Sequence, residues 1–561
     1  MEPESRVTMT DRGWPSAIRT VLLIEVGILA VAALLRLLLL DIKPAHFDEG
    51  INGWFCDQMR VHGFYRYDPE NYHGPLWFYL LFASLSILGR NLWALRLPAV
   101  AASLASVWLT FRFDRFLGTR AACLAALAMA LSPAEVFYGR YAIHEPLFAL
   151  SLMITAYGLL GIWRDGTRRD LAITVAGVTL LLLLKETAVI HIVSFLLAGV
   201  VLLFWEKIVP SCPTLTPARR GWCAVDLGRY LLIALLALAV LYSGTFFNWQ
   251  GIPDFFRAYA KWFQTGTGAG GHEKTDFQIG HFAFLNWYWI ALMLRYEWPA
   301  LLGLAVAVRL AWPAPAIPRY LAIYGLGVLA AYSIIPYKTP WCILSILWPF
   351  LFLFGWGIAE LASLRRSSSI RLSWISWISW IRTAAAVVAL FLLCGSLLLS
   401  VRLNYRHFTD PAEPYVYVQT QPGIRTVTDP VLGLVAQDPR NRGLTGHILL
   451  ESYYPLPWIF GEMTSIGYYG KETLPNDSDA DFIVALTSDR VKIESRLKEP
   501  YLRVPFRLRD SMEECTVWFR ESRFGSWFDR NRPERVLPGQ RKSIPAAKPS
   551  PTPSAAPSPG S

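Results

Sequence analysis

The sequence predicts a mainly α, polytopic membrane protein with about 11 spans, added interfacial helices and a small C-terminal α/β domain outside the cytoplasm. Three observations carry this reading. The 561 residues are 54% hydrophobic and only 17% charged, with a mean hydropathy of +0.34, whereas soluble domains average about 25% charged. Aromatic residues make up 14% of the chain, which suits a protein with many membrane–water boundaries, where Trp and Tyr concentrate. The basic residues are parcelled between apolar runs, so the formal charge of +11 reads as topology and not as a nucleic-acid surface. Cysteines are scattered at Cys56, Cys123, Cys212, Cys223, Cys342, Cys394 and Cys515 without a CxxC. They indicate neither a disulfide framework nor a zinc knuckle.

Residues 1–18 are polar, carry Arg6 and Arg12, and are expected in the cytoplasm. The first span, about 19–41, is too long for a signal-peptide core and is followed by no small-residue cleavage site. It delivers Ala45-His46-Phe47-Asp48-Glu49-Gly50 to the outer face. The next apolar run, 75–89, is rich in aromatics but only about 14 residues long, and a span needs about 20. It is read as a juxtamembrane helix, because letting it cross would invert the side of everything downstream. Spans then fall at about 94–111, 121–138, 146–162, 170–184, 187–205 and 230–247. One more ends near Arg309, and the last three are about 319–335, 341–362 and 382–401. This arrangement puts most Arg-rich short loops on one face, as the positive-inside rule expects. It also places all nine histidines on the outer side or at an outer span end: His46, His62, His73, His144, His191, His272, His281, His407 and His447.

The transmembrane domain thus covers 19–401. The three-residue repeat Ser373 to Trp380 within it is read as an aromatic interfacial anchor. From 402 to 540, short apolar runs at 447–451, 481–486 and 515–519 alternate with turn-rich segments, which indicates a small α/β domain. Residues 541–561 are Pro, Ala and Ser and are expected to be disordered.

Four polar clusters fall on the outer face: His46, Asp48 and Glu49; Tyr72-His73-Gly74-Pro75; Arg140 to Pro146, with His144 and Glu145; and Lys185 beside Glu186, with Lys338 in PYKTPW. Ionisable groups beside a membrane span are functional candidates, because lipid does not tolerate unpaired charge. Carboxylates can act as general base or metal ligand. Histidines with carboxylates can hold a divalent cation. Lysines at a lipid-facing rim suit a phosphate. Together they describe a site for an anionic, lipid-linked substrate. Structural uses remain open for each cluster. Asp48 and Glu49 could cap a helix, His73 could be an interfacial hydrogen-bonder, Arg140 and Glu145 could close a loop as an ion pair, Lys185 and Glu186 could pair locally, and Lys338 could snorkel.

An acidic pair after the first span, a Pro-led aromatic interfacial helix, Arg96-Leu97-Pro98 and a carboxylate-Pro after the third span resemble the GT-C membrane glycosyltransferases. Well-described members are the protein O-mannosyltransferases and the lipid A aminoarabinose transferase. HFDEG, YHGP, RYAIHEP, LLKET and PYKTPW together look most like a branch associated with flippase activity in archaeal-type N-glycosylation. The resemblance covers about residues 19–400. It implies a cell-membrane enzyme that takes a sugar from a polyprenyl-phosphate carrier and passes it to a lipid, glycan or protein acceptor outside the cytoplasm. Asp48, Glu49 and Glu145 would be catalytic, with Asp48 matching the first-loop aspartate and Glu145 the second-loop carboxylate. Arg140, Lys185, Tyr337 and Lys338 would bind substrate. His46, His73 and His144 would be ligands if a divalent metal is used. Gly74 departs from the aminoarabinose transferase, which has a lysine here next to its lipid phosphate. Ile51 departs where an arginine often follows the acidic pair. The alternative is a non-catalytic accessory protein that binds lipid-linked saccharides. A proton-coupled transporter ranks last, since the spans hold few ionisable groups beyond Glu25 and Arg36.

Overall fold

Long apolar runs in lipid must satisfy every backbone N–H and C=O internally, and a helix does this within one segment. The computed structural model describes residues 16–71, 73–208, 219–266, 287–309, 312, 314–336, 338–364, 372–470, 475, 479–530 and 532–538. Tyr72, Cys212, His272, His281, Tyr337 and the 541–561 tail lie outside the described residues, as do the side chains of 373–378 in the Trp repeat.

Every span expected from the sequence falls on a helix. In chain order these are α1 (Ser16–Leu37), α2 (Phe47–His62), α3 (Leu76–Leu88), α4 (Leu92–Arg112), α5 (Asp114–Leu117), α6 (Thr119–Leu131), α7 (Pro133–Gly139), α8 (Glu145–Arg164), α9 (Arg168–Leu184) and α10 (Ala188–Ile208). There follow α11 (Ala224–Tyr242), α12 (Gly251–Gly266), α13 (Tyr288–Tyr296), α14 (Trp298–Arg309), α15 (Ala316–Ile334), α16 (Ile343–Ser363) and α17 (Leu372–Tyr405). Among the described residues, seven helices are long and apolar enough to cross a bilayer, or eight if the bent pair α6–α7 is one span. That pair turns by 58° where Ser132 caps α7 and Pro133 opens it. Proline suits the first helical turn because its missing N–H has no partner there anyway. The 13-residue α3 is about 20 Å long at 1.5 Å per residue, well short of a hydrocarbon core of about 30 Å.

Among the described residues the chain divides into two compact units. The first runs to Thr420 and also takes Tyr454–Ile459. Its central helix is α16, 94% of whose apolar window is buried. Small residues let α16 pack closely: a Cβ on Gly355 would lie 2.3 Å from the Ala121 carbonyl, and one on Gly303 in α14 would lie 1.8 Å from that of Phe350. Close backbone approach of this kind is how helices gain contact in lipid, where no hydrophobic drive pulls them together. Tyr454–Ile459 lies on α2. A Cβ on Gly50 would meet Pro455 at 2.4 Å, and one on Gly53 would meet the Trp458 ring at 2.3 Å.

The second unit holds Gln421–Tyr453 and the chain from Phe460 onward. Its six-stranded sheet has the order β2-β1-β3-β5-β4-β6, with β1 (Gly446–Leu449), β2 (Ile466–Tyr468), β3 (Phe482–Leu486), β4 (Tyr501–Phe506), β5 (Cys515–Arg520) and β6 (Glu534–Val536). β1 is parallel to β2 and β3; the remaining neighbours are antiparallel. The three runs singled out in the sequence are β1, β3 and β5. β3 and β5 are buried through most of their length, as near-continuous apolar strands require.

Candidate active site

The site begins at the cap of α2. His46 precedes the helix and its Nδ1 accepts from the Asp48 N–H at 3.1 Å, while Nε2 lies 2.8 Å from the Tyr417 carbonyl. The backbone N–H therefore fixes Nδ1 as acceptor, and Nε2–H donates to the carbonyl. Glu49 closes the capping box by accepting from the His46 N–H at 2.8 Å. Glu49 also accepts both arms of the Arg96 guanidinium at 2.7 Å and the Ala142 N–H at 2.9 Å. Arg96 in turn donates to the carbonyls of Leu40, Lys43 and Pro44. Both side chains are 0% exposed. Burial alone would raise the Glu49 carboxyl, but the Arg96 guanidinium and the converging N–H groups hold it down at about 2. The catalytic role expected for Glu49 does not match this placement: its oxygens are committed to joining the first loop, the start of α4 and the RYAIHEP loop.

Asp48 is one residue on, and the helix turn aims it elsewhere. Its side chain remains 31% exposed, with one oxygen 3.7 Å from His46 Nδ1. Desolvation, with Glu145, raises the Asp48 carboxyl above its usual 3.8 against the opposing pull of His46 and His73.

The RYAIHEP loop separates into two uses. Arg140 donates to the carbonyls of Leu35, Leu38 and Leu39 and so caps the C-terminal end of α1. Cations there meet the negative end of the helix dipole. Arg140 is 0% exposed, so the structure gives it a scaffold position and not the substrate-binding one expected. His144 and Glu145 do reach the site. Glu145 accepts from Lys185 Nζ at 2.7 Å. The His144 ring lies 4.6 Å from that of His73. Burial, with His73 and Lys185 nearby, keeps His144 neutral at its buried post, where its Nε2 has no hydrogen-bond partner among the described residues.

Gly74 explains how YHGP and LLKET come together. Its N–H donates to the Leu184 carbonyl at 2.9 Å, and a Cβ would sit 2.1 Å from the Leu183 carbonyl oxygen. No side chain fits, so the lysine of the aminoarabinose transferase has no room at this position. The same contact sets the next residues: His73 Nδ1 lies 3.2 Å from Glu186, and Lys185 meets Glu145. Burial works against the Lys185 charge, and Cys342 with the Glu145 and Glu186 carboxylates overcome it, so the amine stays a cation. We expect Gly74→Ala to cost about 1–3 kcal/mol, the usual range for overpacking. Thermal unfolding in detergent would show it, together with weaker binding of a polyprenyl phosphate.

Lys338 differs from expectation. Its Nζ donates to the carbonyls of Tyr332 at 2.7 Å, Ser333 at 3.0 Å and Ile335, which caps α15. Burial lowers its amine to about 8. Among the substrate-binding residues expected, Lys185 is therefore the cation placed with Glu145, and Tyr337 lies outside the described residues. As for a metal, no group of three or more His, Cys, Asp or Glu among the described residues is arranged to hold one. His46 is spent on backbone groups and His73 is paired with Glu186, so the expected set His46, His73 and His144 does not gather around one point. Sequence reasoning missed Glu186 as the partner of His73 and Cys342, whose thiol lies 3.9 Å from Lys185 Nζ. LLKET contained the first signal; Cys342, one residue past PYKTPW, carried none.

A family model described as dolichyl-phosphate-mannose-protein mannosyltransferase matches residues 72–217, the stretch from YHGP through LLKET. Among solved structures, ArnT from Cupriavidus metallidurans in the apo state is similar over 90% of this chain and 98% of that one, at 14% identity and a TM-score of 0.55. ArnT from the same organism bound to undecaprenyl phosphate is similar over the same shares, at 15% identity and a TM-score of 0.54. Among the curated proteins no sequence matches. The chain has the fold of the GT-C membrane glycosyltransferases, a multi-pass helical domain followed by a small C-terminal sheet.

Proposed function

We propose that this protein is a membrane glycosyltransferase that moves a sugar from a polyprenyl-phosphate-linked donor to an acceptor outside the cytoplasm. The observation that carries the reading is the chain of neighbouring charges that links Asp48 to Glu145 and His73, Glu145 to Lys185, and His73 to Glu186, in a chain of this fold. The acceptor hydroxyl attacks the anomeric carbon of the donor. The bond from that carbon to the phosphate oxygen breaks, and polyprenyl phosphate leaves with the electron pair. Asp48 accepts the hydroxyl proton. A carboxyl raised above the usual range and still partly open to solvent suits that task, because base efficiency grows as the pKa approaches the working pH. Lys185, held by Glu145, meets the charge that develops on the phosphate, the kind of preorganised stabilisation that dominates many enzymes. Inversion at the anomeric carbon is carried by the resemblance alone.

Lys185 and Lys338 separate the site from the scaffold. A hydrogen bond to a charged group is worth about 1.5–3 kcal/mol, so Lys185→Gln is expected to weaken polyprenyl-phosphate binding tenfold or more. Glu145→Gln combined with it removes the leftover buried carboxylate and keeps the same binding loss if Lys185 holds the phosphate. Recovery of binding in the double variant would instead mean that the unpaired Glu145 charge, and not the missing lysine, was responsible.

A further inference from the structure

A cleft of about 370 Å³ lies between α2, the loop after it and the start of α12. Its size is within the range of ligand pockets, about 300–1,000 Å³. Trp54, Phe55 and Gln58 of α2 line it, with Tyr67, Asn248 and Asp254. None of these belongs to the site above.

Three features say what such a cleft takes. First, its lining mixes aromatic faces and amides with the carboxylates of Asp68 and Asp254, one guanidinium, Arg66, and His62, so no cation stands there without carboxylates beside it. Asp254 is already paired, accepting from Arg257 at 2.8 Å and Gln250 at 3.1 Å. That suits a neutral polyhydroxylated ligand, whose C–H faces stack on rings and whose hydroxyls bond amides, and not a phosphate. Second, Asp48, Ile51, Phe55, Gln58 and His62 fall at steps of three and four, which places them along one stripe of α2. Gln58 is about 15 Å along the helix from Asp48 at 1.5 Å per residue. The same stripe carries the proposed base at its N-terminal end. Third, the cleft adjoins the site through Tyr67, whose phenol feels the Glu186 carboxylate. The Tyr67 ring packs edge-on against Tyr242 at 4.8 Å, and burial with Glu186 nearby keeps its phenol protonated, hence a donor. On the wall opposite α2, Phe246, Phe247 and Trp249 are 50%, 76% and 62% exposed, while Asn248 and Gln250 between and after them line the cleft.

We infer that this cleft binds a neutral saccharide of the acceptor, so that the acceptor is a glycan laid along α2 with its terminal hydroxyl at Asp48. The inference rests on the transferase reading above and names its acceptor class. The test uses the full chain in lipid nanodiscs and saturation-transfer NMR with maltotriose, mannotriose and chitotriose as probes, beside a Ser/Thr-containing peptide. At least one trisaccharide is expected to give a saturable signal that Gln58→Ala and Asn248→Ala each weaken at least fivefold and that Asp48→Asn leaves in place. Saturation by the peptide alone, by none of the probes, or by a saccharide equally well in the cleft variants overturns the proposal. Carrier-phosphate release from a polyprenyl-phosphate sugar is read on the same samples. Saccharide binding without any release defeats the transferase reading and leaves a saccharide site; release without saccharide binding defeats the cleft alone.

Discussion

Asp48→Asn is expected to lower turnover by about 10²- to 10⁴-fold, the usual contribution of a general base, while polyprenyl-phosphate binding changes little. The asparagine keeps the size of the side chain and removes the proton acceptor. The loss should therefore sit in kcat and not in carrier affinity, the pattern of a group that acts in the transition state. The wild-type rate should also fall on the acid side. Asp48 works as the carboxylate, and desolvation raises the carboxyl above 3.8. The rate is then full at pH values well above that raised pKa and falls as pH drops through it. The residual rate of Asp48→Asn should lack this acid limb. A pH–rate profile of both proteins in liposomes would show it. An unchanged kcat in the variant would remove Asp48 from the chemistry.

The second large effect is on stability. Glu49→Gln is expected to destabilise the fold by about 3–5 kcal/mol, because it leaves the buried Arg96 guanidinium without its counter-ion. Arg96→Met alone should cost a similar amount. The pair replaced together by apolar residues of like volume should recover much of the loss, since the desolvation of both charges is then avoided. The pH dependence has a fixed sign. Glu49 is held at about 2 against 4.5 in the unfolded chain. Its contribution is complete above about pH 4.5 and is lost as pH falls towards 2. The gap between wild type and Glu49→Gln should narrow over that window. Chemical denaturation in detergent at several pH values measures it. A variant as stable as wild type at neutral pH would contradict the scaffold position of Glu49.

Asp48 and Glu49 show what the sequence could and could not tell. Both are carboxylates in one motif, and HFDEG marks the right place. Which of the two stays open depends on a 100° step around α2 and on Arg96, 47 residues away. Neither is visible in a local pattern. The lysines repeat the lesson. Lys185 and Lys338 looked alike as rim cations, yet the chain reversal after α15 turns Lys338 back onto its carbonyls, while Gly74 brings Lys185 beside Glu145.

The long apolar helices were legible, because apolar runs near 20 residues have few alternatives to a helix in lipid; α12 and α13 were not, as both fall in the stretch from 247 to about 296 read as a long outer loop. The bend at Ser132–Pro133 was signalled by the proline, although the span was read as continuous. The return of Tyr454–Ile459 onto Gly50 and Gly53 was not legible. It is a tertiary contact whose only trace is a pair of glycines three residues apart on α2.

The most direct test of the account follows free polyprenyl phosphate by mass spectrometry after incubating the lipid-reconstituted protein with a panel of polyprenyl-phosphate sugars. Wild type and Asp48→Asn are compared, with a glycan acceptor present. The account predicts that at least one donor releases its carrier with wild type and not with the variant, with the sugar recovered on the acceptor. Equal release by both proteins, or carrier lipid bound by wild type with no release from any donor, would contradict transfer chemistry at Asp48 and favour a protein that only binds lipid-linked saccharides.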